Sequence, residues 1–193
     1  MALNTKTIAL IIVFTALAIA LNPIGIPAIF LTGFYFRFWE IPIVIAFVLL
    51  GPKSGVTVAV LRTLAEMTLF PSPAIFIAPP IALLSTLGML LGLYVAGRLL
   101  KRKTSQSENL GIKPVVYFTA FGTLVRMSFS PFLTYSLYRF LLPIVGIRVP
   151  EPAIMGLIPL VLLFGLALSL YTIPIGYLIA RMVSRNLKVG NQL

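Results

Sequence analysis

Apolar runs alternate with short segments that are polar or rich in proline and glycine along the whole chain. Six of these runs approach the ~20 residues that a helix needs to cross a bilayer. We therefore predict a single all-α domain, a polytopic membrane protein with six transmembrane helices. The predicted helices cover residues 5–21, 34–50, 55–70, 74–97, 114–142 and 153–183. In the fourth, Gly88, Gly92 and Ala96 recur at intervals of four, which predicts a flat face for close packing by another helix.

The segments between the runs predict connections of different kinds. Residues 22–33 contain two prolines and two glycines and are otherwise mostly apolar. An apolar loop with an unpaired backbone must be buried against protein or lie in the membrane interface, so we interpret this loop as a lid over a pocket. Three other segments are predicted as a tight turn and two loops: residues 51–55, 98–113 and 143–152.

The composition restricts the class of protein. Hydrophobic residues make up 60% of the chain and charged residues 10%, and the mean hydropathy is +1.08. A soluble domain needs more polar surface than this sequence supplies, so we predict an integral membrane protein. The chain has no cysteine and no histidine, which excludes disulfides and thiolate or imidazole metal sites, and we expect neither a metal nor a cofactor.

The basic residues indicate the orientation in the membrane. Lysine and arginine are enriched on the cytoplasmic side of membrane proteins. With six spans, this rule predicts a protein of the cytoplasmic membrane with both termini inside, and it explains the net charge of +11 without nucleic-acid binding. The inner basic residues are Lys6, Lys53, Arg98, Lys101, Arg102, Lys103, Lys113, Arg181, Arg185 and Lys188, and the outer ones are Arg37, Arg139 and Arg148.

Three charged residues inside apolar runs are the first candidates for a binding site. Arg62 and Glu66 are four residues apart, which places them on one face of a helix and close enough to pair. Charges within a membrane are costly unless they face a protein interior or a cavity. We therefore predict that Arg62, Glu66 and Arg126 line a pocket that opens outwards. An equally weighted interpretation makes Arg62–Glu66 a structural pair that only locks two helices together.

Residues near the predicted outer ends of the spans border the same pocket. Trp39, Glu40, Tyr135 and Arg139 are substrate-binding candidates for this reason. Aromatic residues at this depth are also typical membrane-interface anchors, and this is the alternative for Trp39, Tyr135 and Tyr138. Glu40 has a second interpretation as well, because a carboxylate stabilises the start of a helix.

The first run has two interpretations. Ala16 and Ala20 form a small-x-x-x-small pattern, which is typical of a helix surface that packs closely on another helix. Residues 1–21 also resemble a cleavable signal peptide, with Ala18-Ile-Ala20 as the processing site. The apolar runs that follow favour a membrane helix that is retained.

Little in the sequence supports catalysis. The four acidic residues are widely separated, and no nucleophile–base pattern is present. Gly51-Pro-Lys53-Ser54 lacks the full glycine-rich pattern of a phosphate-binding loop. We therefore predict that the chain is not an enzyme and does not hydrolyse ATP by itself. The acidic residues are Glu40, Glu66, Glu108 and Glu151.

The order of these features resembles a known family. An alanine motif in the first helix is followed by a looped connection, an aromatic-rich second span, the Gly51-Pro52-x-x-Gly55 turn and a charged third span. A basic loop between the fourth and fifth spans and a basic tail complete the series. This layout resembles the S-components of energy-coupling factor (ECF) transporters, most of all the riboflavin-binding type. The likeness is motif-specific over about residues 35–67.

The resemblance implies a six-helix fold that captures a vitamin from outside the cell and couples to a membrane scaffold, the T-component, and to two ATPase subunits. It implies that Ala16 and Ala20 pack on the scaffold and that ATP is used by the partners. Arg126 and Arg139 stand where a riboflavin binder is expected to have asparagine and lysine. Because arginines suit a carboxylate or a phosphate, riboflavin and another vitamin or precursor both remain candidates.

Two other classes of function fit parts of the sequence. A structural membrane protein of a morphogenesis or assembly complex would have a similar helical layout and would bind protein rather than solute. An intramembrane enzyme is disfavoured by the scarcity of acids and bases. The leading hypothesis is the substrate-binding subunit of an ECF-type importer, with riboflavin as the first candidate substrate.

Overall fold

The computed structural model describes residues 5–29, 34–69, 78–104 and 113–187. Six α-helices and one two-stranded sheet form this part of the chain. A π-helical turn, Leu137–Leu141, and a 3-10 turn, Leu142–Val145, follow the fifth helix. The elements are α1 Thr5–Ala20, β1 Gly25–Pro27, β2 Tyr35–Arg37, α2 Glu40–Leu50, α3 Pro52–Leu69, α4 Ala78–Thr104, α5 Lys113–Ser136 and α6 Glu151–Leu187.

Helices α2 to α6 pack as a ring. The contacts run from α2 to α3, α4, α5 and α6 and back to α2, while α1 packs against α2 and α3. Eight of the 11 residues of α2 are buried, because a helix that is apolar on every side can be surrounded on every side. Its Ile43 and Phe47 meet Val58 of α3, Met89 of α4 and Ile173 of α6 in one core.

Small residues bring α4 and α5 into close contact. Gly88, Gly92 and Ala96 lie at intervals of four on α4 and are all buried. A Cβ atom added at Gly92 would clash with the backbone of Phe121 and Gly122 on α5. The prediction that this pattern forms a helix-packing face is therefore confirmed.

The second predicted span differs from the observed structure. Residues 35–37 pair antiparallel with residues 25–27, with Ile26 opposite Phe36, so α2 begins only at Glu40. A short run of aromatic residues suits a strand as well as a helix, and here the strand partner is available. The prediction that all of residues 22–33 form a loop is wrong for the same reason, and residues 30–33 of that lid lie outside the described residues. At 11 residues, α2 is only about 16 Å long.

Other boundaries shift at the helix ends. Pro52 begins α3, and Gly51 alone makes the turn before it with a φ of 94°, a conformation that glycine adopts without strain. Residues 98–104 continue α4, so this part of the predicted polar loop is helical, while residues 105–112 lie outside the described residues. Glu151 and Pro152 begin α6 rather than ending a loop, since proline is well tolerated in the first turn of a helix.

Two helices of the described residues are long and apolar enough to cross a membrane. They are the segments Ala78–Leu100 of α4 and Glu151–Ser184 of α6, while α1 and α2 are shorter apolar helices. The other two helices each carry a buried arginine, Arg62 in α3 and Arg126 in α5. The six-span arrangement therefore stays a prediction from the sequence.

Candidate functional site

A cavity of about 350 Å³ lies beside β2, between the first turns of α2 and α4, the C-terminal half of α5 and the middle of α6. Cavities that bind small molecules are of this order or larger, and they combine apolar walls with a few polar groups. Aromatic and aliphatic side chains, among them Phe34, Trp39 and Phe164, form most of the wall. Three charged residues line it, Arg37, Glu40 and Arg126, and so do the hydroxyl-bearing residues Ser85, Ser130 and Thr134.

A buried ion pair forms the most polar part of this wall. Arg126 Nη1 lies 2.7 Å from Glu40 Oε2, and Nη2 lies 2.9 Å from Oε1. The Glu40 residue is 1% exposed and Arg126 is 6% exposed, so solvent screens the pair very little. Two parallel hydrogen bonds of this kind fix both side chains in direction as well as distance. The pair therefore ties α5 to the first residue of α2.

One donor of Arg126 is left over by this pairing. Both terminal nitrogens point at Glu40, whereas Nε has no hydrogen-bond partner among the described residues. Nε lies about 4.0 Å from the place that a Cβ atom at Gly165 would occupy, and Ser130 Oγ lies about 3.7 Å from it. Gly165 and Ser130 also line the cavity, but Nε itself is buried, and Ser130 donates its hydroxyl hydrogen to the carbonyl oxygen of Arg126. The Ser130 oxygen can therefore accept a hydrogen bond from a bound molecule.

A second group of charges lies on the other side of Trp39. Arg62 Nη1 is 2.6 Å from Glu66 Oε2, and Arg62 Nη2 donates to Asn22 Oδ1. Asn22 Nδ2 in turn donates to Glu66 Oε1 at 3.2 Å. The predicted pairing of Arg62 with Glu66 along one helix face is confirmed, and through Asn22 the pair also holds the end of α1 against α3.

Trp39 separates the two charge groups. Its ring lies under the Arg62 guanidinium at 3.7 Å, a distance at which a cation and an aromatic face attract each other. The residue also lines the cavity and is only 8% exposed. The interpretation of Trp39 as a membrane-interface anchor is therefore wrong, because the side chain lies within the protein.

The sheet is held against α6 on the outer side of the cavity. Tyr171 donates its hydroxyl to the carbonyl oxygen of Arg37 at 2.9 Å. The rings of Phe34 and Phe36 lie 5.3 and 4.8 Å from the ring of Phe164. These contacts place the Arg37 side chain of β2 at the cavity wall.

The predicted site residues divide into two groups in the structure. Trp39, Glu40 and Arg126 line the cavity, whereas Arg62 and Glu66 pair behind Trp39 and do not line it. The predicted convergence of all three charges on one hollow is therefore wrong: Arg126 alone of them reaches it. Glu40 begins α2, as its helix-capping interpretation requires, and it also pairs with Arg126.

The fifth span contributes different residues from those predicted. Tyr135 points to Glu151, with 3.4 Å between its hydroxyl and Oε1, and Arg139 is exposed; neither lines the cavity. Tyr138 does line it. Arg37 and Ser130 were missed, because neither an outer arginine nor a serine in an apolar run stands out in the sequence.

The predicted coupling residues lie on the outer side of α1. Ala16 and Ala20 are exposed, while Ile11 and Ala18 of the same helix are buried against α2 and α3. The larger neighbours Ile12 and Val13 are also exposed, at 60% and 57%. An apolar, partly small-residue face of α1 is thus exposed.

Comparison with known proteins shows a similarity at the level of fold. No protein-family model matches the sequence, and no curated protein matches it. A solved structure, described as the S component of a bacterial ECF transporter, is similar over 95% of this chain and 98% of its own, with a TM-score of 0.68 and 24% sequence identity. At this identity the likeness shows a shared fold, and the S-component fold that the sequence resemblance implied is confirmed.

Proposed function

We propose that this chain is the substrate-binding membrane subunit of an ECF-type importer and that it captures a small, vitamin-like solute in the cavity beside Trp39. The observation that carries this proposal is the cavity itself. Its aromatic wall is interrupted by a buried ion pair and several hydroxyl groups, which is the usual construction of a small-molecule site. The shared fold with an S component supports the proposal.

The surface of the protein supports a location in the membrane. Large apolar side chains are exposed on several helices, among them Leu124 at 61%, Phe132 at 70% and Met182 at 64%. Soluble monomers rarely expose so much contiguous apolar surface. The cavity lies at the end of the bundle that carries Arg37, Arg139 and Arg148, which the positive-inside rule assigns to the outside. We therefore propose that the solute enters from outside the cell.

The lining favours a flat solute with a polar edge. Phe34, Trp39 and Phe164 offer aromatic surfaces, and rings stack on such surfaces in offset or edge-to-face geometry. Ser85 and Ser130 add polar groups to the wall, and Ser130, whose hydrogen is donated to the Arg126 carbonyl, can accept a hydrogen bond there. Riboflavin, a flat ring system with several acceptors, is the first candidate.

In the proposed mechanism this chain binds and the partners supply energy. The solute displaces water from the cavity and meets the ordered ion pair, so that little reorganisation opposes binding. A membrane scaffold that packs on Ala16 and Ala20, together with two ATPase subunits, then drives release to the inside.

Two glycines of α6 provide a matched test. Gly165 lines the cavity, whereas a Cβ atom at Gly156 would meet nothing within 4 Å. A leucine at either position brings the same gain in helix propensity, about 1 kcal/mol at most. Gly165→Leu fills the cavity beside Ser130, so we expect it to lose bound solute, while Gly156→Leu keeps it.

Two measurements read the outcome in detergent-solubilised protein. Mass spectrometry identifies small molecules that purify with each variant. Trp39 is the single tryptophan of the chain, so its fluorescence reports titration of the identified compound or of riboflavin. If both glycine variants bind the solute equally well, the solute does not bind in this cavity. A folded wild-type protein that carries and binds no small molecule would contradict the proposed function.

A further inference from the structure

We propose that Arg37 is the anion-binding residue of the cavity and that the solute carries a carboxylate or phosphate group, which lies beside β2 rather than at Arg126. This inference rests on the proposed function, because it assigns one part of the solute to one part of the same cavity. Riboflavin itself has no carboxylate or phosphate, so the inference narrows the proposed solute to an acidic vitamin or precursor.

Carboxylates are scarce in this chain, which has 15 basic residues and four acidic ones. Glu40 is engaged by Arg126 through two hydrogen bonds, and Glu151 lies next to the hydroxyl of Tyr135. Among the described residues, Arg62 and Arg37 both have Glu66 as their carboxylate partner.

Arg62 lies closer to Glu66 than Arg37 does. The Arg62 nitrogen lies 2.6 Å from Glu66, whereas the Arg37 nitrogen lies 3.8 Å away. The Arg37 side chain also donates to Asn22 Oδ1 at 3.5 Å, and this oxygen already accepts from Arg62. Both contacts of Arg37 are at the outer limit for an ion pair or hydrogen bond. Two guanidinium groups therefore share one carboxylate, and one positive charge is left in this group.

The surplus charge belongs to the cavity wall. Arg37 lines the cavity together with Tyr35, Trp39 and Phe164, and its side chain is 39% exposed, so an anion can reach it. Its backbone is fixed by Tyr171 and by pairing with Gly25. A planar guanidinium on a fixed strand suits a carboxylate or phosphate because it can donate two parallel hydrogen bonds.

Arg126 does not serve this role in the arrangement observed. Its charge is balanced by Glu40 within the buried pair, and an anion placed there would compete with that carboxylate at close range. The cavity thus has a neutral polar region at α5, formed by the balanced pair and the Ser130 oxygen, and a cationic region at β2. The solute that fits it is a ring system with an acidic substituent.

Matched pairs of probes test the assignment. The pairs are riboflavin 5′-phosphate with riboflavin, nicotinate with nicotinamide, and biotin with biotin amide, each titrated against Trp39 fluorescence in detergent. For a pair that binds, we expect about tenfold tighter binding of the anionic member at low ionic strength, the effect of one charge-assisted contact at a partly exposed site. Added salt should reduce this preference.

Variants connect the preference to one side chain. Arg37→Gln should abolish it and leave the neutral probe unaffected, and Arg37→Lys should retain part of it. Glu66 keeps Arg62 and Asn22 as partners after either change, so we expect the fold to persist, which thermal unfolding checks. Arg148→Gln, an exposed arginine after the 3-10 turn, is the control and should bind like the wild type.

The outcomes separate the two proposals. A probe that binds without anionic preference, or with a preference that survives Arg37→Gln, overturns the role of Arg37 and leaves solute binding intact. A folded wild-type protein that binds none of the six probes and carries no small molecule after purification contradicts solute capture and the inference with it. A co-purified compound without a carboxylate or phosphate overturns the inference alone. Preference in the wild type that is lost in Arg37→Gln alone supports both.

Discussion

Arg62 and Arg126 are both buried, and each pairs with a carboxylate, because an unpaired charge away from water is costly. Desolvation of a single ion costs several kcal/mol in a protein interior, and only a close, well-oriented partner offsets it. Arg126 and Arg62 differ in what their pairing connects. Arg126 joins α5 to α2 through Glu40, whereas Arg62 pairs within α3 and reaches α1 through Asn22.

The Arg126–Glu40 pair makes a prediction about stability. Arg126→Met should destabilise the protein by about 3–5 kcal/mol, because it leaves the Glu40 carboxylate buried with the Thr86 hydroxyl as its remaining hydrogen-bond partner among the described residues. Adding Glu40→Met should recover much of this loss, since two apolar side chains of similar volume no longer need each other. Unfolding of the purified variants in detergent measures both effects.

The control for this pair is an arginine with no buried partner. Arg148→Met changes an exposed side chain and should alter the free energy of unfolding by no more than about 0.5 kcal/mol. Losses that simply add up in the Glu40→Met, Arg126→Met double variant would mean that the two side chains do not act as a pair.

Close packing at the scale of helices depends on a few small residues. The α4–α5 contact allows no side chain at Gly92, because the backbone of Phe121 lies against it. The rigid placement of α5 matters for the cavity, since Arg126 and Ser130 follow one and two turns further along the same helix. On the other side of the cavity, strand β2 of the sheet positions Arg37.

This packing predicts opposite effects for two alanine substitutions in α4. Gly92→Ala should destabilise the protein by about 1–3 kcal/mol, the usual cost of overpacking. Gly97→Ala should be neutral or slightly stabilising, because its new Cβ atom would lie 3.7 Å from the Phe118 ring, an ordinary contact, and alanine favours helix. Unfolding in detergent measures both, and equal effects would contradict the close approach at Gly92.

The whole molecule is a ring of helices with one helix outside it. Among the described residues α1 packs against α2 and α3, and its exposed residues, such as Ala16, leave a face for a partner. The cavity is lined by residues of β2, α2, α4, α5 and α6 and by none of α1. Solute binding and assembly should therefore be separable.

A bulky substitution on α1 tests this separation. Ala16→Trp should block assembly with the membrane scaffold and leave solute binding unchanged, because Ala16 is exposed and does not line the cavity. Co-purification with the scaffold measures assembly, and mass spectrometry of bound solute measures binding. Leu124→Trp, on an exposed position of α5, is the control; if both variants assemble normally, the coupling face lies elsewhere.

The predicted orientation can be measured because the chain has no cysteine. A single cysteine introduced as Ile147→Cys, between the 3-10 turn and α6, should react with a membrane-impermeant maleimide in intact cells. Thr5→Cys at the start of α1 should react only after permeabilisation, since basic residues near that end favour the cytoplasm. The reverse pattern would invert the proposed direction of solute entry.

Features that depend on nearby positions were predictable from the sequence. The four-residue spacing of Arg62 and Glu66 was enough to predict their ion pair, and the spacing of Gly88, Gly92 and Ala96 predicted a helix contact. The apolar runs located all six helices in outline. Each of these rests on helical periodicity, which a chain carries locally.

Features that depend on distant positions were decided only by the tertiary structure. Glu40 and Arg126 are 86 residues apart, and no local pattern indicates that they meet. The composition of residues 34–38 suits a helix and a strand equally well. The strand forms because residues 25–27 are available to pair with it. Trp39 lies under Arg62 and beside the cavity because the end of β2, the start of α2 and the Arg62 side chain of α3 meet there. Burial and long-range pairing, which a linear sequence does not express, therefore determine which charged residues form the site.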